Sequence, residues 1–330
     1  MISSVMKASL YSQYGPPSVL RLEDLPVPVP SDSEILVHVH ATTVNRTDCA
    51  MLRAKPWIMR LFTGLLRPQK PILGTDFAGI VVGMGNSVTG FGLGDKVFGF
   101  DDSGLSSHAQ FLSISVNKAI GHIPEGVSFE HAAASLEGVH YAFNFMNKVN
   151  LTKGQKMLVN GATGAIGSAL VQLLMNKGLQ VSAVGNTKNI DVLKKMGVEK
   201  VIDYTAEDFT QLNETFDYIF DAVGKSTFAR CKHLLSKNGV YISSELGPLM
   251  QNPFLALLTS FSKGRRVIFP VPTRPKETLQ MTQKELQTRV FTPLIDRVYT
   301  YNEIDKAFAY VETGEKSGNV LIDWAEAPSG

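Results

Sequence analysis

Cysteine is scarce in this chain of 330 residues: only Cys49 and Cys231 occur, far apart. A disulfide framework and a four-thiolate zinc lobe are both excluded, and a reducing compartment is the natural setting. Neither sign of charge is in real surplus, with 32 lysines and arginines against 30 acids and a net +2. Dispersed along the chain, that excess makes no nucleic-acid footprint. No window approaches the ~20 apolar residues that span a bilayer. Met1–Tyr14 holds one lysine and no apolar run like a signal-peptide core. The expectation is a soluble, cytoplasmic protein. What is present is apolar: 44% hydrophobic against 19% charged residues, enough for real cores and contrary to disorder. The length suggests two domains or one large one.

The first third reads as β-structure. Ile35–Ala41 alternates apolar and polar residues, as a half-buried strand does. From Ile72 to Phe100, glycine and valine alternate with short turns, a density that marks the corners and bulges of a small barrel. Near Pro124 the pattern changes. Ser128 is placed to cap a helix running through Ala132, Leu136 and Phe143. Strands and helices then alternate: Lys156–Asn160, a helix at Ser168–Asn176, Gln180–Val184, a helix at Ile190–Met196, Lys200–Tyr204, and strands at Tyr218–Val223, Gly239–Ser243 and Arg266–Phe269. Six strands with crossover helices predict a doubly wound parallel sheet, an α/β fold. Beyond Pro270-Val271-Pro272 the rhythm breaks. Asn302 is placed to cap a helix to Thr313, and Asn319–Asp323 reads as a last strand. This tail is too small to fold alone and is expected to complete the first domain. The boundaries expected are 1–125, 126–270 and 271–330.

Directly after the strand at Lys156–Asn160 comes Gly161-Ala162-Thr163-Gly164-Ala165-Ile166-Gly167, and a helix follows at once. This is the dinucleotide fingerprint with alanine in place of its first glycine. Small residues serve the tight turn, the approach of Gly164 to a pyrophosphate, and the packing of helix on strand at Gly167. The anion then sits on the helix N-terminus. About 20 residues on, where a carboxylate would grip the ribose of NAD, the chain has Gly185-Asn186-Thr187-Lys188. Lys188 and Thr187 suit a 2′-phosphate by charge and hydrogen bond. NADPH is the expected cofactor; the alternative reading of Lys188 is a solvated lysine at a helix start.

With these residues the chain resembles the medium-chain dehydrogenase/reductase superfamily. Pro71-Ile72-Leu73-Gly74-Thr75-Asp76-Phe77-Ala78-Gly79 and Gly94-Asp95-Lys96-Val97-Phe98-Gly99 are similar to its barrel signature. The resemblance covers essentially the whole chain and implies a split GroES-like β-barrel catalytic domain around a Rossmann domain. Zinc-dependent members open a Cys-Arg-Thr-Asp-like motif with their thiolate and carry Gly-His-Glu in the barrel signature. Here the motifs read Asn45-Arg46-Thr47-Asp48 and Gly74-Thr75-Asp76, so the expected thiolate and imidazole are missing. The chain is thus similar to the zinc-free quinone oxidoreductase branch, which includes alkenal and enone reductases. The resemblance implies that Asn45 lies beside nicotinamide and substrate, and that Lys188 and Tyr204 contact a 2′-phosphate. It further implies that Thr163–Ile166, Ala222, Val223, Ser244 and Leu246 line the cofactor cleft, with Phe269, Val271 and Asn319 at its nicotinamide end. A homodimer is expected by family analogy.

Other features are weighed beside these. His38 and His40 share one strand face but have no evident third metal ligand, so a solvated or hydrogen-bonded pair is expected. His140 is a pocket candidate. No tyrosine has a lysine four residues on, which removes the tyrosine–lysine proton donor of short-chain reductases. Two apolar stretches, Trp57–Phe62 with Leu65-Leu66 and Pro253–Leu258, read either as core or as a substrate entrance and a lid or subunit contact, respectively. Without zinc as Lewis acid, a site of this kind suits acceptors that delocalise charge themselves, quinones and α,β-unsaturated carbonyls. Asn45 is the expected hydrogen-bond donor. The rival readings are a reductase of simple aldehydes or ketones, and an NADPH-binding sensor or structural protein without turnover.

Overall fold

The computed structural model describes residues 4–327, without the side chains of Ile58 and Phe62. The chain divides into two units: Met1–Glu137, Pro275–Thr288 and Ile295–Gly330 form the first, Gly138–Arg274 and Arg289–Leu294 the second.

The first unit opens with β1 (Val5–Leu10), β2 (Arg21–Pro26), β3 (Glu34–Val44), α1 (Arg46–Arg53), a short α2 (Arg60–Thr63), β4 (Asp76–Met84), β5 (Lys96–Phe100), β6 (Phe111–Ser115) and β7 (Ile120–His122). β3 is its spine, pairing antiparallel with both β4 and β6. On one face of β3, Ile35, Val37 and Val39 enter a core with Phe77, Val81, Val97, Leu112 and Ile114. On the other, Leu36 joins Met6, Ala8, Ala109 and Phe111. A strand buried on both faces loses clean alternation, which explains why Ile35–Ala41 shows only part of the β3 span. The pairing of β3 with β4 carries two register shifts, in the glycine- and valine-rich segment whose composition predicted bulges.

His38 and His40 lie on the Leu36 face, both half-buried, with their rings packed on aromatic neighbours and His40 Nε2 a buried atom without a hydrogen-bond partner. The two rings meet edge-on at 5.0 Å, His38 lies 5.0 Å from the Phe111 ring, and His40 stacks on Phe129 at 4.3 Å. Burial lowers the pKa of both.

α3 (Phe129–Met146) then leads out of this unit. Ser128 Oγ accepts the His131 N–H at 3.2 Å, the capping geometry that the sequence predicts. The second unit contains β8 (Lys156–Asn160), α4 (Ala165–Asn176), β9 (Gln180–Gly185), α5 (Ile190–Lys195), β10 (Lys200–Asp203), β11 (Phe216–Asp221), α6 (Phe228–Cys231), β12 (Leu235–Ser243), α7 (Gln251–Thr259) and β13 (Arg266–Ile268). All six strands are parallel, in the order β10-β9-β8-β11-β12-β13. This is the doubly wound arrangement expected, with the order of strand addition reversing between β8 and β11. Two expectations change in detail. α4 starts at Ala165, because Gly164 is extended and ends the turn itself. β10 and β11 are joined through a single 3-10 turn, Phe209–Gln211, in which Asp208 caps the Thr210 N–H.

The returning segment supplies α8 (Pro275–Gln287), β14 (Ile295–Thr300), α9 (Ile304–Thr313) and β15 (Asn319–Asp323). β15 pairs antiparallel with β3 and parallel with β14, giving a seven-stranded sheet, and α9 buries Ile304, Ala307, Phe308 and Val311. Asn302 does not cap α9. It sits in a 3-10 turn, Tyr301–Glu303, accepting from Thr300 Oγ1, and the helix starts two residues later.

One buried histidine gives this unit a testable pH dependence. His108 is fully buried, and its Nε2 donates to the Thr43 carbonyl at 2.9 Å, while Nδ1 has no hydrogen-bond partner. Burial pushes its pKa down to about 4. The unfolded chain therefore binds this proton first as pH falls. The stabilisation is complete above the ordinary value near 6.5 and is lost between there and pH 4. The full effect is about 3 kcal/mol. Denaturant titrations at pH 7, 5.5 and 4.5 should show His108→Gln, which keeps a donor toward Thr43, losing less stability with acid than the parent. Parallel losses in both proteins would refute the assignment.

Candidate functional site

The carboxyl edge of the parallel sheet collects most of the residues singled out in the second unit. At the end of β8 the chain turns through Gly161–Gly167 into α4. A Cβ on Gly167 would lie 2.0 Å from the Gly161 carbonyl oxygen, so only glycine lets helix and strand close this tightly. Gly164 is the N-cap of α4, extended at φ −72° and ψ 172°, and no side chain caps the helix. A Cβ there would meet only the Gly161 carbonyl, at 3.5 Å. The turn thus presents an open backbone approach to an uncapped helix start, the features that a pyrophosphate requires. Thr163 and Ala165 are buried beside it and Ile166 is half-buried.

One strand over, β9 ends at Gly185, and Asn186–Lys188 lead into α5. Thr187 and Lys188 are exposed. Asn186 Oδ1 is a buried acceptor with no partner, a fit for a ribose hydroxyl. Tyr204, just past β10, is exposed and its N–H donates to the Gly185 carbonyl at 3.0 Å. The structure also brings in a residue that the sequence reading missed. Asp203 pairs in register with Gly185, and its carboxylate accepts from Thr187 Oγ1 at 2.6 Å and from Thr205 Oγ1 at 2.7 Å. The Thr187 hydrogen bond leads in holding the Asp203 carboxyl below the usual carboxylate range. An anion therefore stands at the edge where the sequence offered only Lys188.

Beyond the reversal point, a second missed carboxylate organises the edge. Asp221, at the end of β11, is fully buried. It accepts from Asn160 Nδ2 at 3.0 Å, the Tyr241 hydroxyl at 2.6 Å and the Gly224 N–H at 2.9 Å. One side chain thus joins the ends of β8, β11 and β12 and shapes the turn that carries Ala222 and Val223, both half-buried. The turn with Ser244 and Leu246 is fixed by Asn252, whose Nδ2 donates to the Glu245 carbonyl at 2.8 Å. Phe269 and Val271 follow β13, the first half-buried and the second exposed.

In the first unit, Asn45 is the N-cap of α1. Its Oδ1 accepts the Asp48 N–H at 3.0 Å, and Asp48 Oδ2 accepts the Asn45 N–H in return at 3.0 Å, a capping box. Asn45 Nδ2 donates to Thr75 Oγ1 at 2.7 Å, so the residues at the two altered ligand positions are hydrogen-bonded to each other. One amide hydrogen of Nδ2 is left for a further acceptor. Asp48 and Asp76 are fully buried beside them. Burial raises the Asp48 pKa to about 7, although N–H groups of Asn45 and Gly74 donate to it, and burial raises Asp76 well above the usual range. Asn319 is buried at the start of β15, in this same unit. His140 lies in the second unit, buried in α3, with its pKa lowered to about 4 by burial. Among the described residues, no group of three or more His, Cys, Asp or Glu side chains has the geometry to hold a metal ion.

Comparison with known proteins agrees with this architecture. Residues 31–140 match the family model for the alcohol dehydrogenase GroES-like domain, and 196–322 match that for a zinc-binding dehydrogenase. The chain is 29% identical to 2-methylene-furan-3-one reductase of Solanum lycopersicum, over 97% of its own length and 80% of that protein. It is 25% identical to the chloroplastic NADPH-dependent alkenal/one oxidoreductase of Arabidopsis thaliana, with the same coverage of 97% and 80%. In three dimensions it superimposes on the quinone oxidoreductase from Coxiella burnetii with a TM-score of 0.85 and 26% identity, covering 97% of this chain and 99% of that one. A parallel sheet in 3-2-1-4-5-6 order, a glycine turn at its first strand and a GroES-like unit completed by the chain's end have a common explanation: the chain belongs to the medium-chain dehydrogenase/reductase superfamily of oxidoreductases.

Proposed function

We propose that this protein is a zinc-independent, NADPH-dependent reductase of quinones or α,β-unsaturated carbonyls. The observation that carries the reading is the Asn45–Thr75 hydrogen bond at the two positions where zinc-dependent relatives hold thiolate and imidazole ligands. An amide and a hydroxyl bound to each other are poor zinc ligands, but an amide can orient a carbonyl oxygen. Bound NADPH would supply the hydride. Thr163, Gly164, Ala165 and Ile166 would hold its pyrophosphate at the start of α4, and Asn186, Thr187, Lys188 and Tyr204 its adenosine end. Ala222, Val223, Ser244, Leu246, Phe269 and Val271 would line the rest, with Asn319 at the nicotinamide. In this division of labour 126–270 binds the dinucleotide, while 1–125 and 271–330 carry the catalytic part. The remaining Asn45 N–H would donate to the acceptor's oxygen, and conjugation in the substrate would spread the developing charge. The relatives named for alkenal, furanone and quinone reduction support this choice of acceptor. We further propose a cytoplasmic homodimer, to be checked by light scattering of the purified protein and by localisation in cells.

An acceptor panel followed by NADPH absorbance tests the reading. Quinones or conjugated enones should turn over at least about a hundredfold faster than saturated aldehydes of equal size, a difference of roughly 2.7 kcal/mol in barrier. Activity should persist after dialysis against a chelator. Equal rates with saturated aldehydes, or activity lost with about one zinc per chain, would overturn it.

A further inference from the structure

The Asn45–Thr75 hydrogen bond joins two chain segments, and each segment sends an acid across to the other's backbone. Asp48, in the Asn45 segment, accepts the Gly74 N–H on Oδ1 at 3.1 Å, while its Oδ2 takes the Asn45 N–H at 3.0 Å. Asp76, in the Thr75 segment, accepts the Thr43 N–H on Oδ1 at 2.6 Å and the Thr43 hydroxyl on Oδ2. The two carboxylates thus cross between the segments on either side of the amide–hydroxyl pair. Other bonds hold the segments from outside. The Asp101 N–H donates to the Thr75 carbonyl at 2.8 Å, and the Ser107 hydroxyl to the Asp76 carbonyl at 2.5 Å. Gly74 has φ +102°, and a Cβ on it would lie 2.3 Å from Ser107 Oγ and 2.8 Å from the His108 backbone nitrogen. The N–H that meets Asp48 therefore belongs to a residue that must be glycine.

Two crossing acids are a poor device for stability alone. Both are fully buried, as are Thr43 and Asn45. Burial raises the pKa of each, and the Asp48 charge adds to the rise at Asp76, against the opposing hydrogen bonds from Thr43. Capping α1 requires neither a second acid nor burial. What the crossing carboxylates supply is direction. Asn45 Oδ1 is committed to the Asp48 N–H and one Nδ2 hydrogen to Thr75 Oγ1. The plane of the amide is then set by the braced backbone, and its remaining hydrogen has one heading.

We propose that Asp48 and Asp76 are positioning residues of the reductase site, a reciprocal brace that acts on the acceptor only through the aim of the free Asn45 N–H. The inference rests on the reading of Asn45 as donor to the acceptor's oxygen. A donor fixed before charge develops needs no reorganisation at the moment of hydride transfer. The two acids differ in what can replace them. Both partners of Asp48 are N–H groups, so an asparagine there would turn its own NH2 toward one of them. One partner of Asp76 is a hydroxyl, which can rotate and accept from an asparagine instead.

The test is a double-mutant cycle on enone reduction, with kcat, KM, NADPH affinity and melting temperature measured for every variant. Asn45→Ala should lower kcat about a hundredfold, as loss of an oxyanion donor does. Asp48→Asn should lower kcat about tenfold or more, since a misplacement of about 1 Å is enough for that, while NADPH affinity stays within about twofold. Added to Asn45→Ala, it should take off less than about a further twofold. Asp76→Asn should lower kcat less than Asp48→Asn does. Thr43→Val keeps the shape of the side chain and removes only the hydroxyl bonded to Asp76. It should lower kcat about threefold or more, again only while Asn45 is present. If Asp48→Asn does not fold, Thr43→Val carries the same cycle. Losses that multiply in full on the Asn45→Ala background would overturn the proposal alone, as would an unchanged kcat in folded Asp48→Asn or in Thr43→Val. An unchanged kcat in Asn45→Ala would overturn the reading of Asn45 itself, and the brace with it.

Discussion

Gly167→Ala should lower the melting temperature by roughly 5–10 °C, whereas Gly164→Ala should leave it unchanged and weaken dinucleotide binding about tenfold or more. The two glycines stand three residues apart in one turn but do different work. A methyl on Gly167 would meet the Gly161 carbonyl oxygen at 2.0 Å and the Ala162 Cα at 2.9 Å. Both are backbone atoms, so relief requires moving α4 away from β8, at about 3 kcal/mol, the upper end of ordinary overpacking. Gly164 already has φ and ψ values that alanine adopts freely, and a methyl there has only one neighbour, at 3.5 Å. That methyl would instead occupy the approach of a pyrophosphate to the helix start. Thermal unfolding without ligand and fluorescence titration with NADPH separate the two effects. Unchanged NADPH affinity in a well-folded Gly164→Ala would mean that the pyrophosphate does not lie on this turn.

Lys188→Ala should weaken NADPH by roughly ten- to a hundredfold and NADH little, because a charge-assisted hydrogen bond to phosphate is worth about 1.5–3 kcal/mol. Tyr204→Phe should act in the same direction but less, since a neutral donor contributes less than a charged one. Asp203 adds a contrast of opposite sign. Its carboxylate is held ionised by Thr187 and Thr205 at the same edge. Asp203→Asn should therefore tighten NADPH and leave NADH nearly unaffected, the gain shrinking as salt rises. Titration of both cofactors against the three variants decides. Equal weakening of NADPH and NADH by Lys188→Ala would mean that this lysine does not read the 2′-phosphate.

The sequence was most legible where a single local rule governs. Lys156–Asn160 and Asn319–Asp323 match β8 and β15 residue for residue, since both are short apolar runs ended by turn chemistry. The glycine turn was legible because the close packing of α4 on β8 at Gly167 demands a residue type that little else demands. Asp203 was not, because it neighbours Gly185 only through parallel strand pairing, 18 positions apart in the chain. The same holds for Asp221, whose partners Asn160 and Tyr241 come from strands that only the fold brings together. Hydrophobic spacing could mark α7 as a helix with an apolar face, but periodicity does not say which way a face points. The ring packing of the histidine pair was hidden for a related reason: Phe111 and Phe129, which receive His38 and His40, lie far along the chain.

The Asn45–Thr75 pair constrains the evolutionary routes open to this protein. Asn45→Cys, the first step toward a zinc ligand set, would remove the N-cap of α1, a loss of about 1 kcal/mol. It would also take from the buried Thr75 hydroxyl the donor it now has in Asn45 Nδ2. Thr75→His alone would force a larger imidazole into a fully buried site beside Asp76 and replace the hydroxyl that now accepts from the Asn45 amide. Each change is harmful before the other is present, and neither yields a metal site by itself. On the proposed zinc-independent reading, regaining the ligand pair of the zinc-dependent relatives would take at least two substitutions, each costing local hydrogen bonding in this structure. The proposed reading then expects changes of acceptor preference to arise in residues around Asn45 and Thr75 and the hydrogen-bonded pair itself to stay fixed.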